Sequence, residues 1–350
     1  MDGEVRIGYS FWGFLGPGIT DTPDGGRSHR RPLIDALDAS GHRIVFLQPD
    51  RDRLEANDPL GYDFDAGFPE IDALFLEWRW PIPGRNTTEC GTPDHTCDLH
   101  RQDELLSHYT TTHRIPTVIW DKDRRLPADS AWRHHPGATV CEAALTPSPG
   151  ATSLLFPAAD EWLDSADPNE LAREDRPISL AYVGNQYDRD EPFDRYFAPA
   201  AKHVSHAVAG KWQNTARWPH LTLLGRLAFH DAMALYERSL ATVLLLPRRY
   251  ARAGQMTQRI FEAVLSGCLP LCPTEMRHAE RFVPAPLLVR NGADVMRTLH
   301  WLRTGTDTET RARLLADCVS RLEPFRLSRQ IQVLNGLLDP LARALTGATR

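Results

Sequence analysis

The sequence predicts an α/β protein built from two Rossmann-like domains in tandem, facing each other across a cleft. Three observations carry that expectation. Short apolar runs rich in Val, Ile, Leu and Phe alternate with amphipathic segments, the pattern of parallel strands buried on both faces and joined by crossover helices. The alternation stops in the polar stretch DEWLDSADPNELAREDRP (160–177) and then restarts, which places a boundary there. The chain has 350 residues, 42% apolar and 25% charged, enough for two cores of ordinary size. The expected division is 1–165, 177–322 and a C-terminal helix over 323–350 able to cross back to the first domain.

In the first domain the strands fall at VRIGYS (5–10), RIVFLQ (43–48), DALFLEW (72–78), PTVIWD (116–121), ATVCEA (138–143) and TSLLFP (152–157). RRPLIDALDASGH, with its stop at Gly41, reads as the first crossover helix. The loop before it, YSFWGFLGPGITDTPDGGRSH, is glycine-rich but lacks the G-x-G-x-x-G spacing of a dinucleotide fold, which turns the reading away from a dehydrogenase. Its aromatics and glycines suit an acceptor pocket, with His29 beside the helix start as a candidate base. Glu77 and Asp121 close their strands at the carboxyl end, where open parallel sheets bind ligands, and are candidate acceptor-side bases. Asp121-Lys122-Asp123 also has the D-x-D form of a metal site, but a second parallel sheet argues against that use and no metal is assigned.

ECGTPDHTCDLH (89–100) offers Cys90, His95, Cys97 and His100, chemically enough for zinc. With no C-x-x-C pair its default reading is a polar insertion.

In the second domain the strands fall at ISLAYVGN (178–185), LTLLG (221–225), LATVLLL (240–246), LPLCP (269–273) and PLLVR (286–290), with helices near 230–239, 257–266, 292–303 and 307–322. The tail 325–350 has helical periodicity interrupted at Asp339-Pro340. The informative stretch is GQMTQRIFEAVLSGCLPLCP (254–273). Thr257 is placed to cap a nearly all-apolar helix that Gly267 ends. Arg259 offers a forked cationic donor for phosphate oxygens. Glu262, one turn in, is costly to bury unless hydroxyls or amides satisfy it; a ribose diol would, and so would an ion pair back to Arg259.

These residues carry a resemblance. SLAYVGN, LTLLGRL, Leu235-Tyr236 before SLATVLLLP, and TQRIFEAVLSGCLPLCP together resemble the C-terminal half of GT-B glycosyltransferases, particularly the large retaining group and its CgeB-like branch. The G-x-x-x-x-R-x-F-E-A-x-x-x-G element of that family corresponds here to Gly254, Arg259, Phe261, Glu262, Ala263 and Gly267. The resemblance implies that Gly184 and Asn185 form the loop near a diphosphate, that Leu227 lies beside the nucleobase, and that Glu262 accepts from ribose hydroxyls. Arg189, Arg259 and Arg249 are the expected phosphate contacts. Many retaining relatives carry a second glutamate where this chain has Gly254, so the handling of the sugar and the stereochemical outcome stay open.

With 40 basic against 46 acidic side chains the formal charge is −6, so no overall field draws the chain to nucleic acid or an anionic membrane. No apolar run approaches the roughly 18 residues of a membrane span, and six scattered cysteines suit reduced thiols, so a cytoplasmic location is expected. The sequon at Asn86 is then an accident. The expected activity is metal-independent transfer of a hexose or pentose from a nucleotide diphosphate sugar, with no other cofactor, to a hydroxyl on a small molecule, a glycan or a nucleobase. The alternatives are a non-catalytic two-domain binding protein and a sugar-nucleotide epimerase of the same double fold.

Overall fold

Apolar runs bracketed by turn residues gather into two all-parallel sheets. The computed structural model of the chain describes residues 5–19 and 26–347. The first sheet contains β1 (Arg6–Ser10), β2 (Arg43–Phe46), β3 (Asp63–Phe64), β4 (Ala73–Glu77), β5 (Thr117–Asp121), β6 (Ala138–Glu142) and β7 (Thr152–Ser153), in the order β3-β2-β1-β4-β5-β6-β7. The second contains β8 (Ile178–Val183), β9 (His206–Ala209), β10 (Leu223–Gly225), β11 (Ser239–Val243), β12 (Leu269–Pro273) and β13 (Leu288–Val289), in the order β10-β9-β8-β11-β12-β13.

Strand order in the first sheet reverses its sense between β1 and β4, where Gly8 pairs with Leu74 and Ser10 with Leu76. Across the second it reverses between β8 and β11, where Leu180 pairs with Ala241. Crevices outside the carboxyl ends of strands at such reversals are where open parallel sheets bind ligands. Glu77 closes β4 at one reversal, and Gly184 follows β8 at the other.

Two units emerge from the contacts. Unit 1 comprises Met1–Leu15, Arg31–Leu155 and Arg329–Arg350; unit 2 comprises Gly16–Arg30 and Phe156–Ser328. Part of the glycine-rich loop after β1 therefore belongs with unit 2; its residues 20–25 lie outside the described residues. In unit 1 a core of Val45, Leu74, Leu76, Leu105, Ile119 and Val140 binds the helices to the sheet. Each fully buried aliphatic side chain there contributes about 1.5–3 kcal/mol.

Several expectations are corrected. The polar stretch after Asp160, which carries no strand pattern, forms helices Asp160–Asp164 and Pro168–Arg173, the second capped by Asp167 through the Asn169 and Glu170 amides. β3 and β9 escape the sequence pattern because DF and HAVA are too short to stand out. Thr257 does not cap the motif helix, which starts at Arg259 after Gln258 with no side-chain cap. The C-terminal helix Leu327–Gly347 runs unbroken through Pro340.

Candidate functional site

Helix Arg259–Leu265 follows from its composition. All seven residues are buried. Phe261 meets the Trp162 ring edge at 6.1 Å, and Ala263 packs with Tyr236, Ala181 and Cys268. Its C-terminal end is fixed by two features. Gly267 adopts φ +73°, a left-handed conformation that any side chain would strain, and a Cβ there would stand 2.1 Å from the Arg176 guanidinium. Arg176, buried, donates to the Ser266, Glu237 and Leu171 carbonyls at 2.9, 2.5 and 2.9 Å, so one cation closes three helix ends. Burial lowers its pKa. Nothing in the polar stretch 160–177 distinguishes this arginine from its solvated neighbours.

The helix delivers two charged side chains into the interior of unit 2. Arg259 is 8% exposed, its Nε and Nη1 find no hydrogen-bond partner in the protein, and its guanidinium lies 5.8 Å from the centre of the Tyr182 ring. Glu262 is 2% exposed and accepts a 2.6 Å hydrogen bond from Ser28 Oγ. The ion pair from Glu262 back to Arg259 does not form; the carboxylate accepts from a hydroxyl, and that hydroxyl belongs to the helical turn Gly26–Arg30 before the first crossover helix. Sequence reasoning missed Ser28, 234 positions away. Tyr236 packs near enough to Glu262 that burial first and then the carboxylate push its phenol well above its ordinary pKa.

Gly184 and Asn185 stand at the end of β8, as the motif reading expects. A Cβ on Gly184 would lie 2.7 Å from the Tyr182 hydroxyl, and one on Gly210, at φ +134°, would lie 2.2 Å from the Gly184 carbonyl oxygen. The two bare backbones therefore touch. Trp212 Nε1 donates to the Gly184 carbonyl at 2.8 Å, and Asn185 Oδ1 accepts from the Lys211 amide at 2.7 Å. Arg189 braces this loop from within, donating to the Tyr187 carbonyl at 2.7 Å and the Asn185 carbonyl at 3.3 Å. Burial depresses its pKa, and Arg259 and Arg249 add to the depression. Three arginines thus concentrate positive charge at the carboxyl ends of β8 and β11.

A cavity of about 620 Å³ opens at those ends, with Gln186, Arg189, Lys211, Asn214, Arg248 and Arg249 on its wall. Arg259 and Glu262 are not on the wall; Arg189 is, and it couples electrostatically to Arg259. Arg249 pairs with Asp188 at 2.6 Å, which offsets part of its charge. Leu227 is half-buried against the core that holds Ala263 and Tyr236. Thr257 Oγ1 is buried without a hydrogen-bond partner. Gly254 sits at φ +64° as the cap of helix Arg248–Ala253, with a Cβ 2.9 Å from His278, so the position that is glutamate in many retaining enzymes has no room for one here.

The acceptor-side candidates are not free carboxylates. Glu77, 1% exposed, accepts from Tyr9 Oη at 2.7 Å and pairs with Lys122 Nζ at 2.5 Å. Asp121 is fully buried, with its oxygens on the Arg125 and Leu126 amides at 2.8 and 2.9 Å. Burial raises its pKa to about 6, against the pull of those amides. Those amides stitch the turn after β5, so Asp121 does not face solvent. Beside it Glu142, which the sequence did not single out, binds Arg124 at 2.5 Å, Arg133 at 2.9 Å and the Ser148 amide at 2.8 Å. His29 is a correction of the same kind: it is 1% exposed, edge-on to Phe156 at 4.8 Å, and counts with unit 2.

Comparison with known proteins agrees with this fold. Residues 189–321 match a family model described as glycosyl transferase-like. No curated protein matches the chain in sequence. Among solved structures, T4 phage BGT in complex with UDP and Mn2+ is similar at 12% identity and a TM-score of 0.64, covering 95% of this chain and 99% of its own. AviGT4, a glycosyltransferase involved in avilamycin A biosynthesis, is similar at 12% identity and a TM-score of 0.57, covering 97% and 98%. Anabaena Alr3699/HepE in complex with UDP and glucose is similar at 10% identity and a TM-score of 0.58, covering 96% and 100%. Among the described residues no helix is long and apolar enough to cross a membrane.

Proposed function

We propose that this chain, a glycosyltransferase of the GT-B fold, moves a hexose or pentose from a nucleotide diphosphate sugar to a hydroxyl acceptor, with unit 2 holding the donor. The observation that carries the reading is Arg259. A guanidinium so deeply buried, with two donor nitrogens unspent, is destabilising unless an anion meets it. A diphosphate supplies such an anion, and its charge grows as the sugar leaves. The acceptor oxygen forms its bond to the anomeric carbon while that carbon's bond to the diphosphate oxygen breaks, and the acceptor's proton passes to solvent. Arg259 then stabilises the departing group where charge develops, with Arg189 and Arg249 adding to the local field.

Glu262 takes the ribose hydroxyls, in the manner in which it already accepts from Ser28. The loop at Gly184 and Asn185 approaches the phosphates with bare backbone, and Leu227 flanks the base. In this reading the arginines do the work a divalent cation does elsewhere, so chelator leaves turnover unchanged.

A panel of sugar nucleotides incubated with the protein and candidate acceptors tests this directly. Release of free nucleotide diphosphate with an acceptor heavier by one sugar supports transfer. A sugar nucleotide of altered stereochemistry but unchanged mass identifies an epimerase, and binding without turnover identifies a non-catalytic receptor. A steep salt dependence of DNA binding would place the acceptor in nucleic acid rather than in a small molecule or glycan.

A further inference from the structure

The insertion after β4 is held by too little apolar packing for its length. Between Trp78 and Asp98 every residue is described, and Asn86 alone among them is buried. Asn86 is spent on the turn itself, accepting from the Ile82 amide at 2.6 Å and donating to the Trp80 carbonyl at 3.1 Å. A single backbone bond, Thr96 N to Arg85 O at 3.0 Å, ties its far half to its near half. At the tip of this segment three metal-ligating side chains converge, and His100 on the following helix approaches one of them.

Cys90, His95 and Cys97 each place a ligand atom within 4.8 Å of the others, and the two sulfurs stand 3.8 Å apart. Ligand atoms on a tetrahedral zinc, with Zn–S near 2.3 Å and Zn–N near 2.0 Å, stand about 3.3–3.8 Å from one another. His95 completes the case. Its Nδ1 is engaged by Thr88 Oγ1 at 2.9 Å, which fixes the ring, and its Nε2 is buried with no hydrogen-bond partner. A ring nitrogen held by a hydroxyl with the other left bare is the arrangement of a metal-bound histidine and its supporting partner. His100 Nδ1 lies 3.9 Å from Cys90 Sγ, with its Nε2 3.9 Å from the Glu104 carboxylate. Asp94, at φ +64°, turns the backbone just before His95.

We propose that Cys90, His95 (through Nε2), Cys97 and His100 (through Nδ1) form a structural zinc site that fixes the insertion after β4. Two sulfurs and two nitrogens in a tetrahedral set select zinc among the common divalent ions. Binding deprotonates both thiols, so each zinc taken up releases up to two protons and the filled site carries no net charge. The site stands apart from the nucleotide chemistry proposed for unit 2.

The test is metal analysis of the full chain purified without chelator, followed by cobalt substitution. The expected result is about one zinc per chain and, with cobalt, thiolate-to-metal charge-transfer absorption that drops by about half in Cys90→Ser and in Cys97→Ser. His95→Ala loses most of the zinc, and His100→Ala weakens it at least about ten-fold. If the variants misfold, the wild-type protein still decides: a strong chelator releases the zinc and exposes the 79–97 segment to protease while nucleotide binding by unit 2 persists. Wild-type protein without zinc, a Cys90–Cys97 disulfide in its place, or zinc that survives both cysteine substitutions would overturn the proposal.

Discussion

The charged clusters at the carboxyl ends of the two sheets differ in one respect. In unit 1, Glu77 is matched by Lys122 and Tyr9, Glu142 by two arginines, and Asp121 by two backbone amides. In unit 2, Arg259 keeps two unspent donors beside a carboxylate that already accepts from a serine. Matched buried charges hold a fold together, whereas the proposed function assigns the unmatched Arg259 to a ligand. Deleting a member of the first cluster therefore attacks stability, and deleting Arg259 attacks ligand binding.

The largest effect is expected from Glu142→Ala, which strands Arg124 and Arg133 in a mostly buried site. Urea denaturation should show a loss of about 3–5 kcal/mol. A loss below about 1 kcal/mol would mean that the cluster is solvated and that the contrast between the sheets is empty.

Asp121 and Glu142, adjacent in register on β5 and β6, sharpen the comparison through pH. Burial holds the Asp121 carboxyl near 6, above its ordinary 3.8. Unfolding then releases its proton, so this group's contribution to stability is fully present below about pH 4 and falls as pH rises to about 6, by about 3 kcal/mol. Burial also pushes Glu142 upward, but the Ser148 amide and the two arginines outweigh it and its net shift is downward. Its contribution is present above the ordinary carboxylate range and is lost as pH falls through its folded-state value. In Asp121→Asn the falling slope between about pH 4 and 6 should flatten while the acid-side loss from Glu142 remains. Denaturation midpoints across that range are the readout, and an unchanged slope would refute the assignment.

Smaller again is Gly184→Ala, whose new methyl meets the Tyr182 hydroxyl at 2.7 Å and should cost about 1–3 kcal/mol while weakening nucleotide binding by displacing the loop. Ser28→Ala is expected to remove about 1.5 kcal/mol, recovered in part by saturating nucleotide if ribose hydroxyls take over the carboxylate. An equal loss with and without nucleotide would separate Glu262 from the ligand.

The two sheets were legible because most of their strands lie in apolar runs bounded by turns; β3 and β9 were not, because DF and HAVA form no such run. Arg259, Glu262 and Gly267 could be placed together because spacing within one helix and its flanking turns is local information, and Gly184 because it ends a strand. What escaped is what depends on long-range approach. Ser28 reaches Glu262 from the turn before the first crossover helix, and Arg176 closes helices from a stretch that reads as solvated. For the same reason the sequence does not show that Asp121 and His29 are buried. A strand-end carboxylate looks identical in sequence whether it faces a ligand or stitches a turn.

The central claim is that Arg259 spends its free donors on a diphosphate. Calorimetric titration of uridine, UMP and UDP into the wild-type protein and Arg259→Ala tests it most directly. The account predicts that UDP binds the wild type more tightly than uridine, that the substitution weakens UDP at least about 100-fold with little effect on uridine, and that the variant is no less stable without ligand. Unchanged UDP affinity in a folded Arg259→Ala protein would contradict it.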